Sequence, residues 1–285
     1  MTTRTRTTSP QRTYRYLRMA ISGSVVVVFT SILVTMPIVG LLPSLSHYYY
    51  TPARTMFVGA LIAVAVCFFA LSGRGTERAL LDVAAVIVPL VAIVPTQISP
   101  DSVPGIDSGC AGGAASCVPV AYHPDVDDGI VTYLIVGVLI MLLALALALA
   151  DEVDRSGTLL SVGIAAAIVL VVWLTWWLAR DAFLRWAHLV AAVGFFAVIA
   201  AVAVVNALRP VPASAPHWLK GAYVAIAVAL GVIVLGMPFY GSLHVGDLYG
   251  VFVGEVLALL LFAAFWVLQS LQYWRVDDPR IIAQV

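Results

Sequence analysis

Long apolar runs recur from one end of the chain to the other, each close to the length that crosses a bilayer. About 20 consecutive apolar residues carry a helix through the hydrocarbon core. Eight segments meet that criterion: 19–42, 54–72, 79–98, 129–150, 158–178, 183–206, 218–238 and 248–274. Inside hydrocarbon no water is present to bond backbone N–H and C=O groups, so such segments fold as helices. The expected fold class is all-α, a polytopic transmembrane bundle of eight spans. Composition agrees: 11% of the 285 residues are charged, against about 25% in soluble domains. The formal net charge is zero, so no basic surface points to nucleic acid.

The cations set the orientation. With the N-terminus inside, the inner segments and helix ends hold Arg4, Arg6, Arg12, Arg15, Arg18, Arg74, Arg78, Arg155, Arg209, Lys220, Arg275 and Arg280, and the outer side only Arg54, Arg180 and Arg185. This asymmetry predicts cytoplasmic N- and C-termini in the cell membrane. Residues 1–18 read as a basic cytoplasmic tail leading into a retained first helix rather than a cleaved signal peptide. Residues 19–274 form the membrane domain, and 275–285 a second cytoplasmic tail. The longest loop, 99–128, falls outside. Cys110 and Cys117 flank a stretch rich in Gly, Ala and Ser there, and an oxidising compartment permits a disulfide between them.

Glu255 is the residue most at odds with its surroundings, because it lies within the apolar run 251–262. A carboxylate at that depth is costly unless it meets a polar cavity, a counter-charge or a proton. At helical spacing it shares a face with Phe262, Trp266, Gln269 and Tyr273, a mixed stripe that belongs toward the bundle interior. Arg54 is the second anomaly. Thr51 and Pro52 read as a helix start, and a cation there opposes the helix dipole. Such an arginine calls for an anionic partner, with Asp247, Glu255, a lipid phosphate and a small anion as the choices. These residues outline an outward-facing pocket for a lipid or small anion. Arg54 holds the anionic group, Glu255 and Asp247 supply counter-charge, and Tyr48, Tyr49, Tyr50 and Phe252 line the mouth. No cofactor is required.

A second reading starts from the outer-face histidines. His47, His123 and His244, with Asp247, are residue types that bind zinc, with Glu255 as acid/base in a metal-dependent lipid hydrolase. No HExxH spacing supports it. In a third reading the Glu255 stripe meets a partner helix, in a homo-oligomer or as the scaffold of a larger membrane complex. The run Ser44-Leu45-Ser46-His47-Tyr48-Tyr49-Tyr50-Thr51-Pro52-Ala53-Arg54, followed by Phe57-Val58-Gly59-Ala60, is similar to a motif in a group of uncharacterised actinobacterial polytopic membrane proteins. The Val94-Pro95-Thr96 stretch and the segment from Glu255 to Phe265-Trp266 are similar to that group as well. The resemblance implies the same multi-span architecture and draws attention to the Tyr48–Arg54 turn. Alkaline ceramidases and adiponectin-receptor-like proteins also place His, Asp and Ser near one membrane face, but this chain lacks their paired-histidine motif and has one more span.

Overall fold

The computed structural model describes residues 9–71, 76–110, 113–151, 155–209, 216, 218–240, 244–245 and 248–274. Its long helices are α1 (Ser9–Val39), α2 (Arg54–Leu71), α3 (Thr76–Ile93), α4 (His123–Leu149), α5 (Arg155–Leu178), α6 (Arg180–Leu208), α7 (Trp218–Tyr240) and α8 (Gly250–Gln272). A short antiparallel ladder, β1 (His244–Val245) with β2 (Leu248–Tyr249), joins α7 to α8. Seven of the helices are long and apolar enough to cross a membrane. The exception is α3, because Glu77, Arg78 and Asp82 occupy its first turns.

The same helix is the most enclosed. Ala84, Ala85 and Val88 are fully buried, and α3 packs against α2, α6, α5 and α4. Small residues let neighbouring backbones approach closely. Around it, α1 lies on α2 and α8, α6 lies on α7, and α4 pairs with α5 at the periphery. The outer surfaces of these helices are apolar, with Leu33, Val34, Leu139, Leu142, Val190 and Leu235 among the exposed side chains. A soluble chain rarely shows so much apolar surface, whereas a lipid-facing one does.

At the charged end of α3, Glu77 is satisfied within the bundle. The Glu77 carboxylate accepts from Arg209 Nη1, from Asn206 Nδ2 at 3.3 Å and from Gln269 Nε2 at 3.0 Å. Gln269 also donates to Asn206 Oδ1. Three helices are thereby tied at one end by a network in which the half-buried carboxylate has donors on both oxygens.

Several boundaries depart from the sequence expectation. The helix expected from residue 19 begins at Ser9, because Arg15 and Arg18 lie over the rings of Trp274 and Tyr273, each 4.9 Å from the centroid. Cation–π contacts thus order part of the segment read as a tail. Residues 1–8 and 275–285 lie outside the described residues. The span expected over 79–98 ends at Ile93, and α4 starts at His123 with Pro124 in its first turn, where the missing N–H is no loss. Between them Ile98 and Cys117 exchange backbone hydrogen bonds of 2.9 and 3.1 Å. Cys110 and Cys117 are disulfide-bonded, with Cα atoms 5.7 Å apart.

Helices α3 and α4 meet at Gly129, where a Cβ would run into Ile93 Cγ2. Gly129→Ala should therefore lower stability by about 1–3 kcal/mol, the usual cost of overpacking. Thermal unfolding in detergent measures this. Ile93→Ala in the same chain should recover part of the loss. Additive losses in the double variant would show that the crossing is not tight.

Candidate functional site

Helix α1 stops at Gly40, whose φ of +80° suits a residue without Cβ. The chain then enters the protein rather than running over it. Ser44 caps a 3₁₀ turn over Leu45–Tyr50, its Oγ accepting from the His47 N–H at 3.2 Å. Tyr48, Tyr49 and Tyr50 are 0, 3 and 5% exposed, so they are core residues and not the rim of a mouth. Each hydroxyl donates to a backbone carbonyl: Tyr48 to Gly40 at 2.9 Å, Tyr49 to Ile93 at 3.4 Å and Tyr50 to Thr96 at 2.6 Å. Burial pushes all three phenols above their ordinary range, so they act as donors that pin the turn to α1 and to the loop after α3. Thr51 Oγ1 accepts from the Ala53 N–H at 3.2 Å as α2 begins, in keeping with its expected capping role.

Glu255, in the second turn of α8, closes this turn from the other side. Its Oε2 accepts from the Leu45 N–H at 2.5 Å and its Oε1 from Ser46 Oγ at 2.8 Å. Ser46 Oγ is also 3.0 Å from His188 Nε2 on α6, and His188 Nδ1 is 2.7 Å from the Val94 carbonyl. A carbonyl only accepts, so Nδ1 carries a proton. Two proton arrangements then satisfy every bond. In one, a carboxylate accepts from Ser46, which accepts from a doubly protonated imidazole. In the other, a carboxylic acid donates to Ser46, which donates to the neutral imidazole. Both have the same total charge, and they differ only by protons moved along Glu255–Ser46–His188.

Arg54 belongs to a neighbouring cluster. Its Nη1 is 2.8 Å from Asp125 Oδ2, and its Nη2 donates to Tyr49 Oη at 2.9 Å. The guanidinium lies 4.5 Å from the Tyr49 ring centroid and 5.6 Å from that of Tyr122. The structure thus gives Arg54 the carboxylate of Asp125 rather than that of Glu255, and Asp247 lies outside the described residues. Arg180 is matched similarly, by both oxygens of Asp127 at 2.7 Å, with Trp176 Nε1 on the same carboxylate. Two of the three arginines that the sequence reading put outside are therefore neutralised by the first turns of α4. The bidentate geometry at Asp127 is of the stronger kind.

Of the four expected zinc ligands, the structure describes the side chains of His47 and His123. The His47 ring bonds Ser44 Oγ at 2.6 Å, and His123 Nε2 bonds the Val118 carbonyl at 3.1 Å. Asp247 lies outside the described residues, and His244 is described only as part of β1. Among the described residues no group of three His, Cys, Asp or Glu side chains is placed to hold a metal ion.

Beside Glu255 lies a cavity of ≈ 70 Å³, walled by residues of α1, α2, α3, α6, α7 and α8, including Phe57, Val91, Phe196 and Met237. Ser46 and Glu255 are its polar lining side chains. One water needs roughly 10–15 Å³ of such space, so the cavity admits a few waters or a slim apolar group. Phe252 packs against the core cluster around the tyrosine turn. Farther along α8, Phe262, Trp266 and Gln269 are 2, 1 and 2% exposed, while Leu257 and Leu260 face outward. The stripe from Glu255 thus faces the interior. Comparison of the chain with protein-family models, curated proteins and solved structures finds no match.

Sequence reasoning missed Ser46 and His188 as partners of Glu255, and Asp125 as partner of Arg54. The partners are far apart in the chain, and although Ser46 and Arg54 lie in the Ser44–Arg54 run, nothing in that run points to Glu255, His188 or Asp125.

His47 gives the site a pH signature. Burial, and then the nearby His188 ring, push its imidazole down to about 4. The unfolded chain binds a proton near pH 6.5, the folded chain only near 4. The stability linked to His47 is therefore complete above pH 6.5 and falls as pH drops toward 4, by about 3 kcal/mol at most. Thermal midpoints of wild type and His47→Asn at pH 7.5 and 4.5 test this. The wild type should lose more on acidification; equal losses would sink the assignment.

Proposed function

We propose that the chain is a lipid-binding, carrier-type membrane protein. In this reading all eight helices span the cell membrane, both termini are cytoplasmic, and the ligand enters the cavity beside Glu255 from the outer half of the bundle. Support for the eighth span is the enclosure of α3 by α2, α6, α5 and α4. Its charged first turns then lie at the membrane boundary. The arginine asymmetry supports the orientation, as does a disulfide on the side assigned to the oxidising compartment.

The observation that carries the reading is the make-up of the cavity: a space of ≈ 70 Å³, apolar but for Ser46 and Glu255, that takes one slim end of a lipid and not the whole molecule. A largely apolar pocket with a few convergent polar groups is the usual form of a small-ligand site. The lipid places a hydroxyl or another donor on Glu255, and the Glu255–Ser46–His188 chain takes up or returns a proton as the ligand arrives and leaves. A membrane-embedded carboxylate of this kind marks proton relays in carriers. A lipid fits better than a free small anion, because Arg54 is already bonded to Asp125 and Tyr49.

The test is lipid content per chain after purification in mild detergent at pH 5 and pH 8. Wild type should retain lipid in a pH-dependent manner. Ala192→Leu, which fills the cavity from α6, should lose most of it. Glu255→Gln keeps an acceptor for Leu45 and should bind without pH dependence. Unchanged lipid in both variants would reject the site. A bound metal in place of lipid would bring forward the zinc hydrolase. A bare chain would favour a scaffold within a larger complex.

A further inference from the structure

At the end of the bundle where α1 begins, positive charge outweighs negative. Among the described residues each acid there has its own arginine: Glu77 with Arg209, Asp82 with Arg78, and Asp151 with Arg155. Arg12, Arg15, Arg18 and Lys220 are in no ion pair with a described residue. Three of these four cations lie on α1, whose residues 9–39 include no Asp or Glu.

Arg15 and Arg18 stand three residues apart, a spacing that makes them neighbours on the helix surface. Both reach to the end of α8, over the rings of Trp274 and Tyr273. A ring face attracts the charge of a guanidinium but leaves its N–H groups to other acceptors. Neither guanidinium donates a hydrogen bond to a described residue. Arg18 is 7% exposed. Of its side-chain nitrogens only Nε is sealed off without a partner, so the Nη edge stays open to an acceptor. Glu77 and Tyr223 act on Arg18 at longer range, but both are already engaged. Glu77 takes donors from Arg209, Asn206 and Gln269, and Tyr223 gives its hydroxyl to Gln272 at 2.6 Å. A largely buried guanidinium without an acceptor is costly, and an incoming oxyanion relieves that cost.

The surroundings indicate which oxyanion. Tyr16, Trp218 and Trp274 are 65, 58 and 43% exposed at this end, and such aromatic side chains mark the headgroup level of a bilayer. Lipid phosphates lie at that depth. Basic residues gathered at one membrane surface attract anionic lipids, each adding to the affinity. A zwitterionic headgroup also carries an ammonium group, which the unmatched cations repel.

We propose that one anionic phospholipid docks at the α1–α8 junction: its phosphate accepts from the N–H groups of Arg15 and from the Nη edge of Arg18, while Arg12 and Lys220 strengthen the attraction. The site rests on the helices spanning a membrane and is separate from the cavity beside Glu255.

The test is native mass spectrometry of the delipidated full-length protein. It is titrated with phosphatidylglycerol, with phosphatidylcholine of the same acyl chains, or with inorganic phosphate alone. The first phosphatidylglycerol per chain should bind at least about fivefold more tightly than phosphatidylcholine, and high salt should shrink the preference. Phosphate alone should give no adduct at the same concentration. Arg15→Gln and Arg18→Gln should each weaken phosphatidylglycerol about fivefold and leave phosphatidylcholine unchanged. Arg15 is only half-buried, so Arg15→Gln decides the matter if Arg18→Gln fails to fold. Ala192→Leu, at the Glu255 cavity, should leave the adduct in place. Equal binding of the two lipids, wild-type binding by Arg15→Gln, or phosphate bound as tightly as lipid would overturn the proposal. So would loss of the adduct in Ala192→Leu alone, which puts that lipid in the cavity.

Discussion

The bond from the Leu45 N–H to Glu255 holds one end of the helix bundle together. A 3₁₀ turn that enters a bundle has exposed N–H groups at its start, and in an apolar setting each needs an acceptor. Ser44 supplies one acceptor locally, and α8 supplies another from the far end of the chain. Once Glu255 fixes Leu45 and Ser46, the three following tyrosines reach carbonyls on α1 and on the segment after α3. The turn, α1, α2, α6 and α8 thus become one polar-bonded unit inside an apolar shell. Removing the carboxyl leaves the buried Leu45 N–H without its acceptor, a cost of about 1–3 kcal/mol, whereas the Ser46 hydroxyl keeps His188 Nε2 as a partner. The same bonds that make Glu255 structural also give it a route for protons through Ser46 to His188.

Much of the fold was legible because hydrocarbon permits few solutions. Long apolar runs declare helices, and their number and approximate positions follow from counting. The inward stripe of α8 was legible for the same reason, since Glu255 and Gln269 have no place facing lipid. The ends were harder. Arg15 and Arg18 look like solvated tail residues until Trp274 and Tyr273 are placed beneath them. The Ser44–Tyr50 segment looks like an interfacial aromatic belt, because a row of tyrosines serves equally well at a membrane surface or pinned to buried carbonyls.

Partner identity was the least legible property. Arg54 announced that it needed an anionic partner, but Asp125 lies across the disulfide loop, and only the fold brings the first turn of α4 to the first turn of α2. His188 carried no local sign of its role, since nothing nearby in sequence distinguishes a histidine that orders a serine from one that anchors a surface. In each case sequence identified the group with an unmet need, and tertiary structure chose what met it.

Helix α3 gives these separate features a common logic. Its Val88 and Val91 face the cavity beside Glu255, while Ala85, Val86 and Pro89 line a cleft of ≈ 640 Å³ between the α2–α3 pair and the α4–α5 pair. Glu77 points into the inner network with Arg209, and Arg78, one residue on, points to Thr158. One helix therefore forms a wall of both spaces, with a different charged residue on each side of its first turn. Pro89 removes one backbone N–H from the stretch between them, and Tyr133 of α4 donates to Val86 within that interrupted turn. A close-packed helix with such a weak point does not shift one face alone. An occupant that displaces α3 from either side changes the other side as well, and by linkage the effect is reciprocal.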